Sequence, residues 1–219
     1  MTSPLLTFPG VYAPQDDTWM LADALLREPL ARGAEVLDVG TGTGAVALFA
    51  AGRGARVTAV DVSWRAVLTA RLNARLNRLP LRVLRGDLLA PVMGRRFDLI
   101  VANPPYVPAP AARVPRRGAA RAWDAGRDGR LVLDRICRAA PPLLRPGGTL
   151  LIVQSALSDA DRTLDLLRSS GLRADVVGRR SIPFGPVLEE RQQWLRRHKL
   201  LAADASREGL VVVRAERTD

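Results

Sequence analysis

Short apolar runs alternate with segments in which apolar residues recur every three or four positions, a pattern that predicts alternating strands and helices. Strands are predicted over residues 36–39, 56–60, 81–85, 97–102 and 149–153. Helices are predicted over residues 16–30, 64–76, 131–144, 158–169 and 187–201, with a further helical run after residue 44. Two last strands, at residues 176–177 and 210–213, are expected to form an antiparallel hairpin. The order indicates an α/β fold with a mostly parallel sheet.

The helix predicted at residues 64–76 has a large apolar side chain at every fourth position. Trp64, Leu68, Leu72 and Leu76 would therefore share one face, and we expect that face to pack in the core. Ser63 stands immediately before this helix and is suited to cap its first turn.

A glycine-rich turn follows the first predicted strand. It reads Asp38-Val39-Gly40-Thr41-Gly42-Thr43-Gly44 and leads into a helix. Glycines let a backbone approach a ligand closely, and the start of the helix offers free N–H groups. The spacing is G-x-G-x-G, whereas a dinucleotide site has G-x-G-x-x-G, so a cofactor bound here need not carry a pyrophosphate.

Acidic residues end the next two predicted strands. Asp61 is suited to bind both hydroxyls of a ribose, and Asp87 is suited to accept from an adenine amino group. Either residue alone would more often be a solvated cap. Together with the glycine-rich turn, and with Asn103 at the end of the fourth strand, they form a joint signal, because ligands of open α/β sheets collect at the carboxyl ends of strands.

The fourth strand is followed by Asn103-Pro104-Pro105-Tyr106. The Asn103 side-chain oxygen and the Pro104 carbonyl can both accept N–H bonds from an amide or an exocyclic amine. The prolines fix φ and lack N–H donors, which keeps these acceptors pointed at a substrate. Tyr106 would supply an apolar wall for a planar group. This tetrapeptide is therefore predicted to hold a flat, weakly nucleophilic nitrogen.

With these motifs the chain resembles the class I S-adenosylmethionine-dependent methyltransferases that have N-P-P-Y after the fourth strand. Residues 11–21 and 122–129 are similar to the single-domain branch of the HemK-like glutamine N5-methyltransferases. The resemblance implies a Rossmann-like, seven-stranded sheet, mostly parallel with an antiparallel C-terminal strand. It also implies that residues 1–219 form one methyltransferase domain, with residues 1–33 as an N-terminal lid segment and helix.

The resemblance further implies S-adenosyl-L-methionine as the cofactor and S-adenosyl-L-homocysteine as its product. Gly40, Gly42 and Gly44 would line the methionine end, Asp61 would hold the ribose, and Asp87 with Leu88 would meet the adenine. Asn103, Pro104, Pro105 and Tyr106 would be catalytic. The full set expected at the cofactor is Tyr12, Pro14, Asp17, Thr18, Asp38, Gly40, Thr41, Gly42, Gly44, Asp61, Val62, Asp87, Leu88 and Asn103. Gln15-Asp16 departs from the commoner Ala-Glu of the lid motif.

Composition narrows the setting of this domain. Of 219 residues, 47% are hydrophobic and 25% are charged, as in globular proteins. The one cysteine, Cys137, cannot form an internal disulfide, which favours a reducing cytoplasm. Neither a leader sequence nor a membrane span is expected. Without a Cys/His cluster no metal is expected, and the one histidine, His198, is expected to be a solvated surface residue.

The net charge of +11 raises the question of a nucleic-acid partner. Of 33 basic residues only Lys199 is a lysine, which indicates a general bias toward arginine. Two concentrations of arginine remain able to attract phosphates: Arg113, Arg116, Arg117 and Arg121, and then Arg179, Arg180, Arg191, Arg196 and Arg197. Aromatic residues that could stack on bases amount to only 5%.

The preferred substrate hypothesis is the glutamine amide in the Gly-Gly-Gln loop of a translation release factor. N6-adenine or N2-guanine methylation of nucleic acid is an alternative, because the same tetrapeptide suits any planar nitrogen. A third alternative is a small molecule or biosynthetic peptide, held by the extended segment 181–199. A non-catalytic cofactor-binding module is the fourth. The sequence leaves open whether the chain needs an activator subunit or self-associates.

Overall fold

The computed structural model describes residues 5–115 and 118–218, in which seven strands form one sheet flanked by six helices. The strands are β1 Glu35–Val39, β2 Arg56–Asp61, β3 Leu81–Arg85, β4 Phe97–Ala102, β5 Leu144–Ser155, β6 Leu172–Pro183 and β7 Arg207–Arg217. The helices are α1 Asp16–Arg27, α2 Ala45–Gly52, α3 Trp64–Leu76, α4 Leu133–Ala139, α5 Ala160–Ser169 and α6 Pro186–Arg197.

The strand order is β3-β2-β1-β4-β5-β7-β6. The strands from β3 to β5 pair in parallel, and β7 runs antiparallel between β5 and β6. The expected seven-stranded, mostly parallel sheet is confirmed. The central strands read as unbroken apolar runs because helices cover both faces, and Val36, Leu37, Ile100 and Val101 are fully buried.

Several helices are shorter than the sequence pattern predicts, and proline explains two of the differences. The α1 helix ends at Arg27, before Glu28 takes an extended conformation ahead of Pro29. The α4 helix ends at Ala139, and Pro141 starts a separate 3₁₀ turn. The last two strands are longer than predicted, because residues 172–183 and 207–217 form a long hairpin with α6 at its tip.

The large apolar stripe of α3 is not in the core, which corrects the prediction. Trp64, Leu68 and Leu76 are 56%, 47% and 48% exposed, and Leu72 is half-buried. A second set with the same four-residue period, Ala66, Ala70 and Ala74, faces the sheet instead. These small side chains let α3 approach the glycine-rich turn closely, since a Cβ placed on Gly44 would lie 3.2 Å from the Cβ of Ala70. Ser63 caps α3 as predicted, its hydroxyl accepting from the Ala66 amide at 3.4 Å.

Candidate active site

A cavity of about 570 Å³ opens where β1, β2 and β4 end. Strand β1 lies between β2 and β4, so the winding of the chain reverses there, where open α/β sheets bind ligands. The cavity is lined by all four expected catalytic residues and by every expected cofactor residue except Gly44. Gly44 instead precedes α2 in a left-handed conformation and packs on α3.

The glycine-rich turn is shaped by residues that other side chains would strain. Gly40 and Gly42 have φ angles of +74° and +55°, in the left-handed region. The amides of Gly40 and Thr41 both donate to the Val60 carbonyl, at 2.8 and 3.1 Å, which ties the turn to β2. The N-terminal segment crosses directly over it, because a Cβ on Gly42 would lie 3.7 Å from the Tyr12 carbonyl oxygen.

Asp61 is oriented by the backbone on both of its carboxylate oxygens. Oδ2 accepts from the Gly42 amide at 3.0 Å, and Oδ1 accepts from the Ser63 amide at 2.8 Å. Burial raises the pKa of Asp61, and these amides act in the opposite direction. Each oxygen keeps further acceptor capacity toward the cavity. A fixed carboxylate of this kind is suited to a pair of vicinal hydroxyls.

Two other carboxylates of the cavity differ in their surroundings. Burial raises the pKa of Asp38 to about 6, although the Thr41 hydroxyl donates to Oδ2 at 2.6 Å. Asp87 is exposed, and its Oδ2 lies 2.6 Å from Nη2 of Arg135 on α4. Arg135 also lines the cavity. Its contribution could not be found from sequence because 48 residues separate the pair.

The Asn103–Tyr106 turn lies at the opposite side of the cavity from Asp87 along the strand order, directly after β4. The Asn103 amide nitrogen is directed at the Thr18 hydroxyl on α1, 3.5 Å away. Its side-chain oxygen is therefore turned away from Thr18. Thr18 was expected to touch cofactor or substrate, and the contact seen here is with the catalytic turn.

Asp17 joins two tyrosines across the mouth of this site. Its Oδ2 accepts from the Tyr12 hydroxyl at 2.9 Å and from the Tyr106 hydroxyl at 2.8 Å. Asp17 is 3% exposed, and burial is the main cause that raises the pKa of both tyrosines, with the Asp17 charge adding to it. The lid segment and the catalytic turn are thus held together by one carboxylate.

The chain segment after Tyr106 folds back and completes the cavity wall. The Val107 amide donates to the Trp123 carbonyl at 2.8 Å, and the Ala125 amide donates to the Val107 carbonyl at 3.0 Å. Val114, Arg121 and Trp123 line the cavity as a result. The long loop predicted from sequence indicated a functional segment, but not which of its residues would face inward.

A buried asparagine anchors the N-terminal segment over the glycine-rich turn. Asn73 of α3 is fully buried, and its Nδ2 donates to the carbonyls of Leu6 and Thr43, both at 2.9 Å. Its Oδ1 accepts from the Leu6 amide at 2.9 Å. An asparagine on the small-residue face of a helix was the sequence signal that could have revealed this anchor.

Glu208 on β7 is a buried carboxyl that sequence analysis missed. It is 7% exposed, and its Oε1 has no hydrogen-bond partner among the described residues. Burial raises its pKa to about 7, the negative Asp17 adds to the rise, and a hydrogen bond from Ser155 opposes it. Glu208 also raises the pKa of Tyr12 and of Tyr106, so its charge lies near the two tyrosines that Asp17 joins.

Replacing Glu208 with glutamine is expected to stabilise the protein at pH 8 more than at pH 5. The raised pKa means that Glu208 favours the fold below pH 4.5 and that this contribution is lost as the pH rises to about 7. The size of the rise corresponds to roughly 3 kcal/mol. Denaturant unfolding of both proteins at the two pH values measures the difference. A gain that is equal at pH 5 and pH 8 would contradict the assignment.

Two arginines of the predicted concentrations, Arg180 and Arg191, are held in ion pairs. Arg191 lies 2.6 Å from Asp124, and Arg180 lies 3.3 Å from Asp23 and 3.8 Å from Asp16. Arg113 is exposed, whereas Arg116 and Arg117 lie outside the described residues. His198 is exposed on the tip of the hairpin, 4.5 Å from the ring of Trp194.

The segment at 181–199 contributes no residue to the cavity wall. Its helix α6 instead braces the catalytic segment from outside, since Arg191 also donates to the Pro108 carbonyl at 3.2 Å. This arrangement does not support a pocket built by the segment. Cys137 is buried, and burial raises the pKa of its thiol to about 12, so it is not a nucleophile.

The described residues contain no helix long and apolar enough to cross a membrane. Residues 5–115 and 118–218 also contain no group of three or more His, Cys, Asp or Glu side chains placed to hold a metal ion.

Residues 3–115 match the family model described as "Methyltransferase small domain". A protein N5-glutamine methyltransferase homologue of Methanocaldococcus jannaschii is 34% identical over 82% of this chain and 90% of its own length. The chain belongs to the small-domain methyltransferases. Within them it is HemK-like: human methyltransferase HEMK2 is 35% identical over 76% of this chain and 81% of its own length.

Solved structures of other methyltransferases share the fold. The E. cuniculi Mtq2 structure, a complex with Trm112 that is described as methylating the termination factor eRF1, has a TM-score of 0.66. It is 23% identical and covers 95% of this methyltransferase and 99% of its own chain. The T. thermophilus 16S rRNA N2 G1207 methyltransferase, solved with AdoMet and guanosine, has a TM-score of 0.63. It is 24% identical over 96% of this chain and 46% of its own.

Proposed function

We propose that this methyltransferase transfers a methyl group from S-adenosyl-L-methionine to the side-chain amide nitrogen of a glutamine in the Gly-Gly-Gln loop of a translation release factor. The observation that carries the proposal is the fixed Asn103–Tyr106 turn at the edge of the cavity. Thr18 is within reach of the Asn103 amide nitrogen, and Asp17 holds the Tyr106 hydroxyl. A rigid pair of oxygen acceptors is what a planar N–H₂ group requires.

The cavity fits the cofactor in size and in chemistry. Its volume of about 570 Å³ lies within the range of sites for drug-sized ligands. The left-handed glycines at 40 and 42 leave room for close approach by the methionine end. Asp61 presents an oriented carboxylate to the ribose, and Asp87 with Leu88 would meet the adenine. Tyr12 and Pro14 would close over the bound cofactor, which Asn73 favours by anchoring the segment before them.

The cofactor supplies an electrophilic methyl group on a sulfonium, so the protein mainly provides alignment and a dry environment. The glutamine nitrogen is a poor nucleophile because its lone pair is delocalised into the carbonyl. The Asn103 side-chain oxygen and the Pro104 carbonyl accept its two N–H bonds and turn the lone pair toward the methyl group. The same oxygens stabilise the positive charge that develops on nitrogen as the new C–N bond forms.

No strong base is needed before the transfer, because the amide proton becomes acidic only as the nitrogen gains its fourth bond. Buried Tyr106, with a raised pKa, stays a neutral phenol whose ring forms a wall of the site. Trp123 lines the same cavity and offers a second flat surface. A planar amide group is suited to pack against these flat surfaces.

Two observations favour a protein as the substrate: the names of the relatives, and the ion pairs that engage two of the arginines. Several relatives are named as protein N5-glutamine or release factor glutamine methyltransferases. Arg191 of α6 and Arg180 of β6 are engaged in ion pairs, which makes these two less available to a phosphate backbone. We therefore take nucleic acid as a control in the test and not as the substrate.

Transfer of labelled methyl groups to a purified release factor tests the proposal. The intact factor is expected to be labelled, and a factor with its Gly-Gly-Gln glutamine replaced by alanine is expected to remain unlabelled. Label that persists on the alanine variant would contradict the assignment of the glutamine. Label on a lysate that disappears after nuclease treatment and resists protease would point instead to a nucleic acid.

A partner subunit is proposed for the exposed stripe of α3. Trp64, Leu68 and Leu76 lie on the helix next to β3, the open edge strand of the sheet, and exposed apolar groups of this kind mark protein contacts. The Mtq2 structure is itself a complex with a second protein. We propose that a second, smaller protein chain covers this stripe in the working enzyme.

Without a partner over this stripe, the isolated wild-type chain is expected to self-associate at high concentration, and the double variant Trp64→Glu with Leu68→Glu is expected to stay monomeric under the same conditions. Both side chains are about half exposed, so the fold should tolerate the charges. Light scattering coupled to size exclusion measures the mass. Trp19→Glu is the matched control, since Trp19 is 49% exposed on α1. A wild-type chain that is monomeric throughout would contradict an adhesive stripe.

A further inference from the structure

The Asn103–Tyr106 turn is held at its backbone as well as at the side chain of Tyr106. The Ser158 hydroxyl, at the end of a 3₁₀ turn after β5, donates to the Tyr106 carbonyl at 2.5 Å. Both residues are buried, and 52 positions separate them along the chain. Tyr106 is thus fixed at two points, because Asp17 of α1 accepts from its side-chain hydroxyl.

Ser158 is placed by a buried arginine. Arg130 is 2% exposed, and its guanidinium donates to the Ser158 carbonyl, to the Asp159 carbonyl at 2.5 Å and to the Thr163 hydroxyl at 3.0 Å. Gln154 of β5 adds a bond to the same Ser158 carbonyl at 3.2 Å. A planar guanidinium with five donors can hold several acceptors in one geometry.

The charge of Arg130 is balanced within the same network. Its Nε donates to Asp134 Oδ1 at 2.8 Å, and Arg162 donates to Asp134 Oδ2 at 2.6 Å. A buried ion pair adds little net stability, but a fully bonded one fixes the groups around it. Asp159 is held at φ +54°, in the left-handed region that non-glycine residues avoid, which is strain the network sustains next to Ser158.

The approach to the Tyr106 carbonyl also requires a glycine. Gly129 has φ +71°, and a Cβ there would overlap the Tyr106 carbonyl oxygen and lie 2.6 Å from the Ser158 hydroxyl. The backbone before Arg130 therefore closes directly on the turn. Three separate parts of the chain meet at one carbonyl oxygen that belongs to the catalytic tetrapeptide.

We propose that Ser158 is a positioning residue for methyl transfer, and that Arg130 acts through it. The bond to the Tyr106 carbonyl sets the path of the backbone through Pro105, whose ring fixes φ, and so sets the direction of the Pro104 carbonyl. Ser158 is not among the residues that line the cavity. The inference rests on the proposed N-methyl transfer at this turn, where an error of about 1 Å costs on the order of 100-fold in rate.

Ser158→Ala and Ser158→Cys test the inference together. Alanine removes the hydroxyl, and cysteine keeps the volume but offers only a weak donor. Both variants are expected to lower kcat on the release factor by about 10- to 100-fold, with the Kd for S-adenosyl-L-methionine within twofold of wild type. Ser169→Ala is the matched control, because Ser169 is exposed at the end of α5, its hydroxyl donates to the Leu166 carbonyl, and its loss should leave kcat unchanged.

Hydrogen exchange of the unliganded protein provides a reading that does not depend on any substrate. In both Ser158 variants the peptide containing the Val107 amide, which donates to Trp123, is expected to exchange faster, while peptides of β1 and β2 keep their protection. Unchanged exchange at Val107 would overturn the proposal even if the wild-type enzyme proves inactive on the release factor.

Several kinetic outcomes would also overturn it. A kcat within twofold of wild type in both variants would show that the bond is not used. A loss in the alanine variant alone would assign the effect to packing. A parallel loss of cofactor affinity would indicate a general structural fault. A wild-type enzyme that leaves the release factor unlabelled would instead refute the proposed substrate, and the exchange result alone would then decide the role of Ser158.

Discussion

Asn103→Ala is expected to lower the rate of methyl transfer by about 10²–10³-fold or more, the cost of removing one preorganised group that stabilises charge in a transition state. Alanine deletes the acceptor that orients the substrate nitrogen and stabilises its developing charge. Cofactor affinity is expected to stay within threefold, because Asp61 and the glycine-rich turn are untouched. Single-turnover rates and calorimetric binding of the cofactor separate the two quantities.

Asn103→Asp is the informative partner of this variant. It keeps an oxygen acceptor of the same reach and should retain more activity than alanine. Asn77→Ala, on the outer end of α3, controls for the loss of an asparagine elsewhere. If Asn103→Ala turned over at the wild-type rate, the tetrapeptide would be only a turn after a strand, and other groups would have to orient the substrate nitrogen.

Asp61→Ala is expected to weaken binding of S-adenosyl-L-methionine by about 100-fold or more. Hydrogen bonds to a charged group are worth roughly 1.5–3 kcal/mol each, and two ribose hydroxyls would lose theirs. The variant also removes the acceptor for the amides of Gly42 and Ser63, so the glycine-rich turn loses one of its ties to β2. Titration calorimetry with the cofactor measures the effect directly.

Asp61→Asn separates those two contributions. It preserves the shape of the side chain but keeps one acceptor oxygen, so one backbone amide and part of the ribose contact are lost. Its affinity is expected to fall between wild type and Asp61→Ala. Equal affinity in all three proteins would mean that the ribose does not lie at this carboxylate.

Local order along the chain explains why the sheet and the cavity could be predicted. Three of the first four strands end in a short, recognisable signal: the glycines after β1, Asp61 at the end of β2 and Asn103 after β4. Parallel strands bring these ends to one edge whatever the details of the helices. The fold and the membership of the HemK-like family were therefore within reach of the sequence.

The features that sequence analysis missed or placed wrongly depend on contacts between residues that are far apart along the chain. The large apolar residues of α3 recur every four positions, which predicts that they pack in the core. Ala66, Ala70 and Ala74 recur with the same period on another face of the helix, and the period alone does not tell which of the two faces packs on the sheet. Tertiary packing decided for the smaller set. The bonds from Ser158 to Tyr106 and from Arg135 to Asp87 cross 52 and 48 positions, and no local pattern announces them.

Glu208 and Asp17 show the same limit for acidic residues. Glu208 has no role predicted from sequence and Asp17 is predicted only as a lid residue at the cofactor, yet both are nearly fully buried, and Asp17 accepts from two tyrosines. The position of Glu208 depends on β7 returning next to β5, which a pattern of short strands at the C-terminus predicts only in outline.

The most direct measurement is the mass of the release-factor peptide that contains the Gly-Gly-Gln loop, after co-expression of the factor with this enzyme. Wild-type enzyme is predicted to add about 14 Da (roughly one CH₂) to that peptide, with the gain located on the glutamine, and Asn103→Ala enzyme is predicted to add nothing. An unmodified peptide with the active enzyme present, or the same gain with the Asn103→Ala enzyme, would contradict the account.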